Sequence, residues 1–521
     1  MSKNTKADMF VDIVALHDEV TGSCNICTVR LPDQRKLKFI VDCGLFQEEK
    51  YQKENYYLPF DPKEIDFALV THNHIDHIGR IPKLYKDGFE GPTFASTTTS
   101  ELMTYALNNT AEIFEAALSQ NQGKVRRAMQ DSSIPVYLSN LMSAPLFDKD
   151  DVSYAMDNVY GLEFNRRVKI NPNVSVMFAQ NGHLLGASSI LVTISYPGQR
   201  SINLFFSGDL AKSNMFFDIK AMPKNIYELP VTIIEESTYG TTSNGTIKRV
   251  FDDNLVEAVD MNHTFIAPVF ALGRTQEILL KIRRLQEAGK LDESVPIFLD
   301  GNLAQSYTSY YNHHKKLLRE DARNFMPENL SMVHEFSERE ALLRKTGAKI
   351  ILTTSGMGSY GPAQFYLPCY IARPNATIHF CGYTTPNTFG RVLQDTPDGE
   401  LIDIKGVVVE KKARVLSTNE FSGHAKKEDL IDSITQFPNA KSVLVNHGDT
   451  QVKQEYAQAV ESTVHPSKGV EVLGPDKCVR VGAYGIIKTL PVTDLEFRTF
   501  ETPEVQEKGK HKQKLFRRKN H

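Results

Sequence analysis

Phe67-Ala68-Leu69-Val70-Thr71-His72-Asn73-His74-Ile75-Asp76-His77 joins a short apolar run to three imidazoles and one carboxylate. Imidazole nitrogen and carboxylate oxygen are the donors that zinc and similar divalent ions take. Ligands two apart along a turn, His72 and His74, can share one ion. Asp76 and His77 are then free to serve a neighbouring one. The stretch reads as half of a two-metal site at the end of a strand, and the rest of the chain must supply the other half.

Three later segments repeat the arrangement of an apolar strand that runs into a ligand-type residue. Val176-Met177-Phe178-Ala179 leads to Asn181-Gly182-His183, Leu204-Phe205-Phe206 to Ser207-Gly208-Asp209, and Val443-Leu444-Val445 to Asn446-His447-Gly448. Strand ends at one edge of a layered domain converge on one cleft, and the neighbouring glycines allow tight turns there. The expected assignment puts His72, His74 and His183 on one ion. Asp76, His77 and His447 hold the second, and Asp209 bridges the two. Zinc is the default for so histidine-rich a site, with manganese the alternative. Asp42 ends another strand, just before Cys43-Gly44. It either accepts a hydrogen bond from a ligand histidine or simply forms the turn. His263, His313, His314, His334 and His379 lack such a setting and read as core or surface residues.

The chain has 521 residues, too many for one simple core, so more than one domain is expected. Its 41% hydrophobic and 24% charged content is that of a soluble globular protein. No apolar run approaches the length of a membrane span and the N-terminus is polar, so no membrane partner is expected. The cysteines are scattered, which suits a reducing cytoplasm. Cys24-Asn25-Ile26-Cys27 matches C-x-x-C but lies in a strand-like segment without a second pair, and reads as core. A net charge of −3 excludes a globally basic nucleic-acid binder and leaves room for a local basic groove.

Along the chain, residues 10–45 and 174–210 read as paired strands, and 98–120 as a helix with a capping box at Thr98 and Glu101. From about residue 231 short apolar strands alternate with helices. Val231–Ile234, Thr264–Ala267, Val295–Leu299 and Lys349–Thr353 are the strands, and Ile278, Ile282 and Leu285 line one face of a helix. Such alternation predicts a parallel sheet flanked by helices. The last residues, from Lys508, are basic, a solvated tail or an RNA-tethering arm.

These residues together resemble a known family. The order Asp42, His72-x-His74-x-Asp76-His77, His183, Asp209, His447 is similar to the motifs of the metallo-β-lactamase fold. Glu236 in Glu236-Ser237-Thr238-Tyr239-Gly240 and His424 in Phe421-Ser422-Gly423-His424-Ala425 resemble motifs that its nucleic-acid-processing β-CASP branch adds. Phe270–Glu277, Phe298–Ala304, Thr354–Met357 and Gly382-Tyr383 through Gly390-Arg391 also resemble that branch. It often has a histidine where this chain has Val392. His183-Leu184-Leu185-Gly186-Ala187 and Ser207-Gly208-Asp209-Leu210 resemble the polyadenylation-cleavage endonuclease type more than the ribonuclease J type.

The resemblance implies an α/β protein. A four-layer αββα metallo-β-lactamase fold, residues 1–238 and 394–490, is interrupted by an α/β β-CASP domain with a parallel sheet, 239–393, and followed by a basic tail, 491–521. It implies a metal-dependent ribonuclease with a two-metal-activated hydroxide. Asp76, His424 as general acid and Glu236 are the catalytic residues. Arg274, Ser355, Thr388 and Arg391 are the candidates for RNA contact. Endonucleolytic cleavage is favoured over 5′-exonuclease action, and RNA over DNA. A homodimer or an RNA-processing complex is compatible with it. Two rivals are a small-substrate metallohydrolase acting on an ester, lactam or thioester, and a non-catalytic RNA-binding paralogue. The 150-residue insertion and His424 weigh against the first, and the full set of ligand positions against the second.

Overall fold

Val174–Gln180 shows how the chain builds its layers. Val176 and Phe178 point into one apolar cluster and Met177 into another, the period-two alternation of a strand covered on both faces. A computed structural model describes residues 8–130, 145–246, 249–382, 384, 388–404, 406–421 and 423–492. Tyr383, Ser422 and the basic tail from 493 lie outside the described residues.

Two mixed sheets lie face to face. The eight-stranded sheet runs, in spatial order, Gly485–Pro491, Lys477–Gly482, Phe10–Ala15, Asn25–Arg30, Lys36–Val41, Phe67–Leu69, Thr93–Ser96 and Val159–Leu162. The seven-stranded sheet runs Val470–Val472, Ala440–Val445, Val231–Glu235, Ile202–Phe206, Ser188–Ile194, Val174–Gln180 and Val168–Lys169. Val11, Phe39 and Leu69 from the first meet Val176, Val192 and Leu204 from the second to form the core between them. Helices cover the outer faces. Leu84, Leu102 and Met103 pack on Ile40 and Ala68, and Leu430, Ile434 and Tyr456 on Ile233 and Val443. This is the expected αββα sandwich.

The third sheet has six strands in the order Leu330–Val333, Ile297–Asp300, Lys349–Thr353, Thr264–Pro268, Ala376–Phe380 and Arg414–Ser417. Every pairing in it is parallel. That matches the sheet expected for the inserted β-CASP domain. Its last strand, Arg414–Ser417, comes from beyond residue 393, so the sheet draws on chain that the sequence reading assigned to the return segment.

One local expectation changes, the helix cap, and the core reading of Cys24 and Cys27 stands. The helix Thr97–Gln130 is capped by Ser96, whose Oγ accepts from Thr99 N at 3.1 Å. Thr98 lies inside it, and Glu101 reaches the Tyr310 hydroxyl instead of closing a capping box. Cys24 and Cys27 are buried and unpaired, and they belong to the clusters on opposite faces of their sheet. Extended backbone turns residues three apart to opposite faces, so they cannot share a metal.

Candidate metal centre

Parallel strand direction gathers the polar residues. Strands Ile202–Phe206, Val231–Glu235 and Ala440–Val445 run parallel, and Val174–Gln180 has the same direction through its antiparallel neighbour. Their C-terminal ends lead to Asp209, Glu236, His447 and His183. From the other sheet, parallel strands Lys36–Val41 and Phe67–Leu69 lead to Asp42 and to the His72–His77 turn. The turn sits close on the backbone below it. A side chain at Gly44 would put its Cβ 1.5 Å from Asp76 O, so only glycine fits.

His72, His74, His183 and Asp209 offer donor atoms that converge on one point, and Asp76, His77 and His447 on a second. In the first group His74 Nδ1 and His183 Nε2 are 3.1 Å apart. Asp209 Oδ2 lies 3.5 Å from His72 Nε2 and 3.6 Å from His183 Nε2. In the second, His77 Nε2 and His447 Nε2 are 3.1 Å apart, and Asp76 Oδ2 is 4.0 Å from His77 Nε2. Asp209 stands between the groups. Its Oδ1 lies 3.5 Å from His77 Nε2 and 3.4 Å from His447 Nδ1.

Divalent cations fit this donor set. A tetrahedral zinc with bonds of about 2.0–2.1 Å separates its donors by roughly 3.3 Å, close to these spacings. His72 Nε2 and Asp209 Oδ1 are buried without a hydrogen-bond partner, a costly state that a cation would relieve. The outward ring nitrogens are engaged elsewhere. His72 Nδ1 lies 3.1 Å from Thr71 Oγ1, His77 Nδ1 2.8 Å from Asp42 Oδ2 and His183 Nδ1 2.5 Å from Gly423 O, while His447 Nδ1, which also faces Asp209, lies 3.1 Å from Thr238 Oγ1. With a proton on each outward nitrogen, the inward lone pairs face the cluster. Asp42 also accepts from Thr71 N and Oγ1, both at 2.8 Å, so it serves the turn and His77 together.

Burial lowers the pKa of His72 and His74 well below the ordinary range and that of His183 to about 4, leaving neutral rings that can bind metal. Burial also disfavours ionised Asp209, but His447, His77 and His72 outweigh it and hold the carboxylate ionised.

Beside the two groups stands a third pair. His424 Nδ1 lies 3.2 Å from Glu236 Oε2, and His424 Nε2 4.0 Å from Asp209 Oδ2. Glu236 is itself fixed by Leu210 N, which donates to Oε1 at 2.6 Å. Burial opposes the charge on His424, yet Glu236 and Asp209 raise its pKa to about 9.

Comparison with known proteins agrees with this architecture. Residues 22–101 match the metallo-beta-lactamase superfamily, 275–393 the Beta-Casp domain, and 408–472 the Zn-dependent metallo-hydrolase RNA specificity domain. The chain belongs to the metallo-β-lactamase superfamily. Within it, the chain carries the β-CASP and RNA specificity domains. It is 28% identical to Ribonuclease TTHA0252 of Thermus thermophilus, over 83% of this chain and 91% of that protein. It is 27% identical to an RNase J-like protein of Methanocaldococcus jannaschii, over 85% and 94%. Transcription termination factor FttA of Methanosarcina mazei is 25% identical over 88% of this chain and 70% of its own length. Among the described residues no helix is long and apolar enough to cross a membrane.

The β-CASP residues expected to touch RNA follow the C-terminal ends of the parallel strands. Their side chains already have partners. Arg274 NH1 bonds Glu277 Oε2 at 2.9 Å and its guanidinium lies 5.3 Å from the Phe421 ring centroid, while its Nε is buried without a partner. Thr388 Oγ1 caps the helix Phe389–Asp395, and Arg391 Nε bonds Asp395 at 2.8 Å. Ser355 Oγ accepts from Tyr360 N at 3.3 Å.

Sequence reading missed Thr71, Thr238 and the Gly423 carbonyl, which lie against ring nitrogens of the candidate ligand histidines. Thr71 and Thr238 adjoin motif residues, and that proximity was the available signal. It missed Lys426 as well, whose ammonium lies 3.7 Å from the Tyr239 ring centroid beside His424.

Proposed function

We propose that this chain is a metal-dependent ribonuclease that hydrolyses RNA phosphodiester bonds, cutting internally. The observation that carries the reading is the His424–Glu236 pair, set beside two convergent donor groups in a chain with an RNA specificity domain. His72, His74 and His183 would hold one cation, Asp76, His77 and His447 the other, with Asp209 shared. Such a pair of divalent ions makes water nucleophilic at neutral pH and neutralises phosphoryl charge.

The protein's own groups do the rest. Asp76 accepts a hydrogen bond from the attacking water and orients it. His424 gives its proton to the departing sugar oxygen, and the Glu236 carboxylate keeps that proton available until then. Asp42 and Thr71 hold His77 and His72 in the tautomer that faces inward. The β-CASP domain meets the motif turn through Tyr307, which suits a polymer laid between two domains better than a small ester. The internal mode of cutting rests on the likeness of His183–Ala187 and Ser207–Leu210 to the endonuclease type.

The test is digestion of one RNA labelled at either end, with and without a 5′ phosphate, by zinc-loaded or manganese-loaded protein. Internal fragments independent of the 5′ group are expected, and Asp209→Ala should abolish them. Substantial cleavage by purified Asp209→Ala protein would falsify the metal-centred reading. Products released only from a 5′-phosphorylated end would make the enzyme an exonuclease.

A further inference from the structure

Asn73 stands between two candidate ligands, His72 and His74, yet its side chain bonds a different domain. Its Nδ2 donates to the Tyr307 hydroxyl at 2.7 Å, from a residue 234 positions further along the chain. Both residues are buried, Asn73 at 3% and Tyr307 at 2% exposure. Asn73 Oδ1 is also buried and has no partner. A tyrosine hydroxyl donates and accepts, so the contact survives either orientation of the amide, and in either one an amide atom stays unpaired. An apolar side chain here would avoid that cost, so stability alone does not account for asparagine.

The turn is otherwise held from its own domain. Ser23 N donates to Asp76 O at 2.9 Å, Cys43 N to His77 O at 2.8 Å and Leu45 N to Ile75 O at 3.0 Å. Among the described residues, Asn73 is the one member of the His72–His77 turn whose side chain hydrogen-bonds the inserted domain. Tyr307 belongs to the helix Asn302–His313, which docks that domain. One turn further along, Tyr310 bonds Glu101, and the Tyr311 ring meets Phe216 edge-on at 5.1 Å. These three tyrosines are spaced to lie on one helix face.

We infer that Asn73 is a positioning residue. It sets the register of the inserted domain on the metal-binding turn, so that a polymer held by that domain meets the site in line. The inference rests on the ribonuclease reading above. A small diester, which needs no grip from the inserted domain, is indifferent to the link because the turn keeps its backbone bonds to residues 23, 43 and 45.

The test compares wild type with Asn73→Ala and Tyr307→Phe. The second removes one oxygen and keeps the ring packing, which guards against a folding defect. Each is assayed on a long RNA and on bis(p-nitrophenyl) phosphate. Hydrogen exchange of the metal-free proteins is followed in parallel. A single hydrogen bond of this kind supports an effect of up to about tenfold. Both variants should lose RNA turnover by about that factor, keep diester turnover, and exchange faster in 302–313 while 71–79 stays protected. Unchanged RNA turnover overturns the inference, as does an equal fall on both substrates or unchanged exchange in 302–313. If wild type fails to cut RNA at all, the ribonuclease reading falls and takes the inference with it. If wild type cuts and the variants match it, only the inference falls.

Discussion

A histidine that hands over a proton at neutral pH needs a neighbour that keeps the proton on it. Burial alone would strip His424 of charge, but Glu236 and Asp209 reverse that and raise its pKa to about 9. The sign follows directly: the acid form is present at neutral pH and is lost as pH rises through the raised value. Cleavage should therefore fall on the alkaline side. Cations bound nearby pull that limb down from 9, so the diagnostic is a further downward shift in Glu236→Gln, read from the pH dependence of kcat. His424→Ala should lower kcat by roughly 10²–10⁴-fold with metal content unchanged by elemental analysis. A substrate with a sulfur leaving group, which needs no proton, should recover most of the loss. Loss of metal from that variant would mean that His424 is a ligand and not an acid.

At the scale of elements, Glu235 ties the strand Val231–Glu235 to the helix Lys427–Thr435, which follows His424. Ser433 Oγ donates to Glu235 Oε1 at 2.6 Å. Burial pushes the Glu235 pKa to about 8. The folded state thus holds a proton that the unfolded state releases at ordinary glutamate values. The contribution of Glu235 to stability is therefore greatest below about pH 4.5 and declines as pH rises toward 8, by about 1.4 kcal/mol per unit across that window. Glu235→Gln keeps an acceptor for Ser433 without the titration. Its melting temperature should hold between pH 5 and 9 where that of wild type falls, as thermal melts across the range would read. A parallel decline in both proteins would place the sensitivity elsewhere.

For the whole molecule, one apolar cluster runs across the domain boundary. Leu102, Leu184 and Phe216 of the sandwich share it with Phe265, Leu279 and Tyr307 of the insert. The parallel sheet also borrows its edge strand, Arg414–Ser417, from beyond the insertion. A fragment of residues 239–393 would expose both that strand's pairing edge and an apolar flank. It should aggregate or melt without a cooperative transition, whereas the full chain should unfold in one dominant calorimetric transition. A soluble, cooperatively folding fragment would show that the domains are independent.

Motif order carried the resemblance that implied the αββα sandwich, and strand–helix alternation predicted the parallel sheet; the ligand-type residues at strand ends do converge in the fold. Ligation imposes donor types at strand ends, and packing imposes apolar alternation, so both are written locally. The capping residue of the helix at 97 was misread because Ser96 and Thr98 offer the same hydroxyl chemistry two positions apart, and only backbone geometry chooses between them. The borrowed strand Arg414–Ser417 was hidden because a short strand carries no mark of the sheet it joins. Asn73 within its motif looked like a spacer, and its bond to Tyr307 exists only because the fold docks a helix of the insert on that turn. What the sequence by itself determined was which residues could do chemistry and in which layers they lie. What only the tertiary structure decided was which side chains from distant segments face one another, because long-range contacts depend on packing that no local pattern records.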